Sequence, residues 1–309
     1  MTTGRYHAVK LAPGFYQLGT PAYPAYLSTG KYAAIIEGGI AATTRLILEQ
    51  IDEIGFPRDR IKYVFLTHAH LDHIGAVPLL RQVIPGIQIV AGQTASEKLA
   101  SKELIKAYVK MESLISEILL IKGEIESWPI INENPVFTVD RVVQEGDILE
   151  LGNGISWEVY ETPGHSSCHI SYFDREQKIV TIGDATGLYD FHREIFWPTY
   201  LDNLEAYCQS IRKLYRLQAQ IGVLSHNGAV TEDLSGYFNK AIKAAESYHT
   251  EIITRVKKGE KRDDIALDLA KRVFTFTNLQ PFESILSLVR SMMEQSIALA
   301  SRVDLFNLS

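Results

Sequence analysis

Residues 61–66, IKYVFL, make an unbroken apolar run that feeds directly into THAHLDH, which places His68, His70, Asp72 and His73 within six residues. A short apolar run bounded by polar residues reads as a buried strand. In sheets covered by helices, ligands gather where strands end at their carboxyl edge. In an extended loop, residues i and i+2 point the same way, so His68 and His70 can grip one ion together. A short helix is expected over HIGAVPLLRQV, which puts Asp72 and His73 at its start, facing a second position a few Å away. A polar loop with satisfied histidines is the bland alternative. A closed structural zinc site is disfavoured, because such sites usually use cysteines and the nearer of the two here, Cys168, lies far along the chain.

The flanking segments set the fold class. The first ~40 residues read as short β segments broken by Gly and Pro (YHAVKLA, FYQLG, YLSTG, YAAIIEGG). Residues 42–54 carry helical spacing and stop at Gly55, and IQIVAG follows the histidine cluster as another strand. This β–loop–α–β order implies a parallel strand pair. Residues 94–127, with Thr94 as a plausible N-cap, predict one or two inserted helices. Strand signals return in VFTVDRVV, DILEL, ISWEVYET, HISYFD and KIVTIG. A helix over 201–217 then precedes the strand IGVLS. After that the β signal stops. Residues 231–258 predict a helix opening at Thr231-Glu232-Asp233 and closing at Lys257-Lys258-Gly259, with helices near 262–273 and 282–302 beyond it.

With 309 residues, 46% hydrophobic and 22% charged, the chain can bury a large core without covalent staples. Its net charge of −6 and lack of a basic run argue against a nucleic-acid partner. No window approaches the ~18 apolar residues that span a bilayer, so no membrane association is expected. Two cysteines exclude a disulfide framework, and a cytoplasmic location is the default expectation.

Three later segments supply further ligand types. His165 follows ISWEVYET past a Pro-Gly turn, Asp184 follows IVTIG, and His226 follows IGVLS. A single histidine after a strand is more often a surface or hydrogen-bonded residue. Here the order and spacing of all three, relative to the first motif, carry the weight. His169 is expected to be a buried or supporting histidine, Cys168 a packing residue, and His7 and His249 surface residues.

On these motifs the chain resembles the metallo-β-lactamase superfamily, over roughly residues 10–230. The resemblance implies an α+β fold, the four-layer αβ/βα sandwich. Residues 1–230 would form the metal-binding domain, with the helical insertion near 94–127, and 231–309 a C-terminal helical extension. It also implies two divalent metal ions, with zinc expected first and iron or manganese accepting the same ligands. His68, His70 and His165 would bind one ion, Asp72, His73 and His226 the other, and Asp184 would bridge both. A bridging water acidified by the two ions would act as hydroxide on a carbonyl or phosphoryl centre, with Asp72 and Asp184 as catalytic proton carriers.

Asp184 in GDA looks like the glyoxalase II type rather than the relatives that ligate zinc through cysteine. His70 stands where flavodiiron oxygen reductases carry Glu. Two departures from the family pattern are the turn EGG (Glu37-Gly38-Gly39) in place of Asp-x-Gly and SHNG in place of GHG around the last ligand. EGGI, GHSSCH and an all-helical tail look most like a thioesterase branch that also has a regulatory role. The expected function is therefore hydrolysis of a small-molecule thioester or other carboxylic ester or lactone. The alternatives are a regulatory protein acting through a partner surface, or a phosphodiesterase. Tyr189, Phe191, His192 and Trp197 are the expected substrate-pocket residues. The tail, with Tyr237, Phe274, Phe276, Phe282, Met292 and Met293, would serve as packing layer, lid or homodimer interface.

Overall fold

The computed structural model describes residues 6–133, 135–277, 280–302 and 304–308. Two sheets pack face to face, with helices on both outer surfaces. The first sheet begins as a meander of β1 (Val9–Ala12), β2 (Phe15–Gly19), β3 (Pro24–Thr29) and β4 (Ala33–Ile36). It continues in parallel through β5 (Ile61–Phe65), β6 (Gln88–Gly92) and β7 (Arg141–Val143). The second sheet contains β8 (Ile148–Gly152), β9 (Ile155–Glu161), β10 (Ile170–Asp174) and β11 (Ile179–Gly183). A small hairpin of β12 (Leu188–Asp190) and β13 (Ile195–Trp197) stands apart, and β14 (Ile221–Leu224) and β15 (Ala229–Val230) complete the second sheet in the order β15-β14-β11-β10-β9-β8.

Strand alternation assigns each side chain to a layer. From the first sheet Phe15, Tyr26, Ile36, Phe65 and Val90 face inward, against Trp157, Val159, Ile170, Tyr172 and Ile179 of the second. Their strand neighbours Leu27, Ile35, Val64 and Ile89 face the opposite way, beneath the helices α1 (Thr44–Ile54), α2 (Val77–Val83), α3 (Gln93–Leu99) and α4 (Lys102–Lys122). On the far side Val180 and Ile182 meet α5 (Leu204–Arg216), α6 (Leu234–Lys257), α7 (Arg262–Phe274) and α8 (Phe282–Ala298). Burial of each such side chain contributes about 1.5–3 kcal/mol. The C-terminal helices thus share one continuous core with the second sheet.

Buried hydroxyls tie the sheets together close to the ligand-bearing loops. Tyr26 Oη donates to Leu224 O at 2.6 Å and lies 2.8 Å from Gly228 O, on either side of His226. Tyr172 Oη donates to Leu66 O at 2.8 Å, just ahead of His68.

Several boundaries differ from expectation. Thr94 lies inside α3, and the insertion breaks at Ser101, whose side chain accepts from Leu104 N and caps α4. Asn203 caps α5. Asp233, not Thr231, caps α6 through Gly236 N. Only residues 141–143 of the expected strand 136–143 pair with β6. Asp72 and His73 occupy a separate 3-10 turn (Leu71–His73), and α2 begins only at Val77, with Pro78 in its first turn.

A candidate dinuclear metal centre

All seven expected ligands meet at the carboxyl ends of strands. His68, His70, Asp72 and His73 follow β5, His165 follows β9, Asp184 follows β11 and His226 follows β14. His70 Nδ1 lies 2.9 Å from His68 Nε2 and 3.0 Å from His165 Nε2. Asp72 carboxylate oxygens lie 3.5 Å from both His73 Nε2 and His226 Nε2. Asp184 Oδ2 stands between the two groups, 3.4 Å from His165 Nε2, 3.9 Å from His68 Nε2, 3.3 Å from His73 Nε2 and 3.8 Å from His226 Nε2.

The outward-facing ring nitrogens have partners elsewhere. His68 Nδ1 is 2.9 Å from Thr67 Oγ1, and His73 Nδ1 is 3.0 Å from Glu37 Oε2. His165 Nδ1 meets Thr199 O at 2.9 Å and Thr199 Oγ1 at 2.7 Å, and His226 Nδ1 meets Ala22 O at 2.9 Å. Hydrogen bonds of this kind fix tautomer and ring orientation, leaving the inner nitrogens as lone-pair donors. His73 Nε2 and Asp184 Oδ1 are buried without a hydrogen-bond partner. A buried polar atom without a partner costs about 1–3 kcal/mol. Convergent imidazoles and carboxylates carrying such orphaned atoms suit divalent cations, so these residues fit a metal.

The electrostatics are consistent with that donor set. Burial, reinforced by the neighbouring histidines, pushes His68 well below the ordinary histidine range. Burial likewise lowers His70 and His165. Burial opposes ionisation of Asp184, but His73, His226 and His165 outweigh it and hold the carboxyl well below the usual range. Neutral imidazoles beside ionised carboxylates are the protonation states that bind metal. His73 differs: burial lowers it, but Asp72, Asp184 and Glu37 outweigh that and raise it well above the ordinary histidine range, so a cation bound there would displace its proton.

In the Glu37-Gly38-Gly39 turn the glutamate carboxylate supports the centre from behind. One Glu37 oxygen accepts from Thr67 and Ser225 hydroxyls at 2.8 Å each, while the other faces His73. Glu37 adopts φ 72°, a left-handed conformation that costs a non-glycine residue about 1–2 kcal/mol. The ladder of Gly38 N to His73 O, Gly75 N to Gly39 O and Ala76 N to Gly38 O, at 2.7–2.8 Å, holds the turn in place.

His169 is buried behind the ligands. Its Nε2 accepts from Asp184 N at 3.2 Å, which leaves the proton on Nδ1 to be donated to Thr162 Oγ1 at 2.8 Å. Gly183 takes φ 59°, and a Cβ there would come within 2.5 Å of His169 Nε2. Cys168 packs in the first-sheet core. His7 is exposed beside Glu53. His249, expected at the surface, is buried on α6 with its ring 5.4 Å from that of Phe306.

Beside the centre lies a cavity of about 480 Å³, bordered by His226 and lined in part by Gln17, Leu188, Asp190, Phe191, His192 and Phe276. Phe191 and His192 therefore reach it. Tyr189 and Trp197 are buried instead; Tyr189 packs against the rings of Phe196 and Tyr237, at 4.4 and 5.4 Å. Thr199 and Ala22, which meet His165 and His226, and Ser225, which meets Glu37, carry no signal in the sequence, because each contact joins residues far apart in the chain.

The family model described as the metallo-beta-lactamase superfamily matches residues 21–226. A hydroxyacylglutathione hydrolase of Haemophilus influenzae is 30% identical over 208 residues, 65% of this chain and 82% of the relative. An atrochrysone carboxyl ACP thioesterase of Aspergillus fumigatus is 28% identical over 225 residues, 72% of this chain but only 55% of the relative's length. A metallo-beta-lactamase family protein from Thermus thermophilus shares the fold over 94% of both chains, with a TM-score of 0.66 at 18% identity. With its strand-end ligands and this match across two thirds of its length, the chain belongs to the metallo-beta-lactamase superfamily.

Proposed function

We propose that the chain is a dinuclear metal-dependent hydrolase acting on a thioester or another carboxylic ester or lactone. The observation that carries this is Asp184 Oδ2, which lies within 4 Å of ligand nitrogens from both triads. His68, His70 and His165 would hold one cation, Asp72, His73 and His226 the second, and Asp184 would touch both. Zinc suits these donors, and iron and manganese accept them too. Bound there, such cations supply an acidified water and a Lewis acid for the substrate oxygen.

The chain's own residues do the rest. Glu37, Thr199 and Ala22 orient the imidazoles. Asp72, whose side chain keeps 14% exposure at the rim, is placed to take a proton at its carboxylate and pass it to solvent. The cavity beside His226 would receive the substrate beyond the scissile bond. Among the described residues its lining holds the rings of Phe191 and Phe276 but neither Lys nor Arg. An uncharged aromatic or alkyl group suits such walls better than a phosphate or carboxylate. Relatives named as a hydroxyacylglutathione hydrolase and an ACP thioesterase support thioester chemistry.

A panel of neutral thioesters, S-acylglutathiones, lactones and phosphodiesters tests this directly. We expect turnover of thioesters, fastest with neutral ones. Phosphodiester cleavage alone, or no turnover with both metals bound, would favour the phosphodiesterase or the regulatory alternative.

A further inference from the structure

His165 differs from the other ligands in what holds it. Thr199, its partner through both Oγ1 and backbone oxygen, opens the segment 199–203 between β13 and α5, of which Thr199, Tyr200 and Leu201 are buried. On its inner side this segment clasps the His165 loop. Asp202 N and Asn203 N donate to Gly164 O at 3.1 and 3.0 Å, and Ser167 N donates to Asp202 Oδ2 at 2.7 Å. On its outer side it is bonded to α8. Tyr200 Oη meets Ser296 Oγ at 2.9 Å, and Ser291 Oγ donates to Leu201 O at 2.8 Å. Tyr200 and Ser296 are fully buried.

The only comparable link among the described residues joins the Asp184 loop to α6, not α8, where Thr186 Oγ1 meets Tyr237 Oη at 2.7 Å. His73 is held by Glu37, His226 by Ala22 O, and His68 by Thr67, all from the first half of the chain. We infer that α8 braces His165 through residues 199–203, and that Ser291 and Ser296 are positioning residues for the His68/His70/His165 metal position. The inference rests on the dinuclear reading above. A change on α8 would then reach one metal position and leave the other undisturbed.

Cobalt titration of the full-length protein, read by visible absorption and by chelator competition, tests the brace, because a position with three imidazoles and one with two give different spectra. In Ser291→Ala/Ser296→Ala we expect affinity at the three-histidine position to fall about 10-fold or more, with the second position within about twofold of wild type. Tyr200→Phe keeps the ring against Tyr207 and removes only the hydroxyl, so it should shift the same position by a smaller factor. If the double variant fails to fold, Thr199→Val and Tyr200→Phe carry the test. Equal weakening of both positions, or no change at either in a folded variant, would overturn the brace. A wild type that binds fewer than two cobalt ions would instead sink the dinuclear reading.

Discussion

Glu37 Oε2 lies 3.0 Å from His73 Nδ1, and Glu37 holds that position from a left-handed backbone. The same carboxylate collects the hydroxyls of Thr67 and Ser225, which come from the ends of β5 and β14. One side chain therefore joins two ligand-bearing loops, those after β5 and β14. Glu37→Gln keeps the shape but replaces one acceptor oxygen with a donor. We expect metal affinity to fall about 10–100-fold, with little loss of secondary structure. Chelator competition followed with a chromophoric indicator checks it, and unchanged affinity would show that the glutamate serves the turn alone.

Glu112 on α4 predicts a pH dependence. Burial, aided by the charge of Asp72 and opposed by the Ala41 N–H, pushes its carboxyl up to about 8. One oxygen accepts from Ala41 N at 3.0 Å and the other has no partner. Because the folded pKa lies above the unfolded one, Glu112 favours the folded state below about 4.5, and that contribution is lost as pH rises towards 8. Glu112→Gln should match wild type near pH 5 and be more stable than it at pH 9. Denaturant melts at the two pH values decide it, and parallel curves would mean that Glu112 ionises without cost.

His169 runs in the opposite sense. Burial, aided by His165, lowers it to about 3, and its Nε2 must stay unprotonated to accept from Asp184 N. A depressed histidine stabilises the fold above its unfolded pKa near 6.5, and the contribution is lost as pH falls towards 3. The slope is at most about 1.4 kcal/mol per pH unit for one proton. His169→Gln should lower stability at pH 7 and flatten the decline between pH 6.5 and 4. A variant whose acid limb stays as steep as wild type would contradict this.

Much of the centre was legible because each ligand follows a strand-like run, apolar before His68, Asp184 and His226 and alternating before His165, so strand ends could be counted without knowing the fold. The supporting partners were not legible. Thr199 and His165 lie 34 residues apart, and no local pattern links them. His249 was misread because a solitary polar residue on a helix looks exposed until the short turn Asp304–Phe306 is known to fold back over it. The β12/β13 hairpin leaves no clear strand signal in the sequence, because its turn, Phe191 to Glu194, lacks the Asn-Gly or Asp-Gly pair. Glu194 supplies the positive φ there, at 54°. The tail was open to several roles in the sequence. In the structure Leu234, Phe238, Ile265, Leu269, Val289 and Met292 share the core of the second sheet. Deleting 231–309 would expose that core, so point variants test the tail better than truncation.

The cavity predicts a split in kinetic constants. Phe191→Ala and Phe276→Ala remove apolar wall without touching a ligand. We expect KM for neutral aryl or alkyl thioesters to rise about 5–20-fold, each ring supplying roughly 1–2 kcal/mol of contact, and kcat to change little. An acetyl thioester too small to reach the wall should be nearly unaffected. Equal effects on both substrates would place the substrate elsewhere.

The central claim, that both triads hold metal around one shared aspartate, is tested most directly by adding zinc back to the chelated protein while following thioester hydrolysis. The account predicts that activity rises to a plateau at two equivalents per chain, and that Asp184→Asn stays about 100-fold or more below wild type at every ratio. A plateau at one equivalent, or an Asp184→Asn variant as active as wild type, would contradict it.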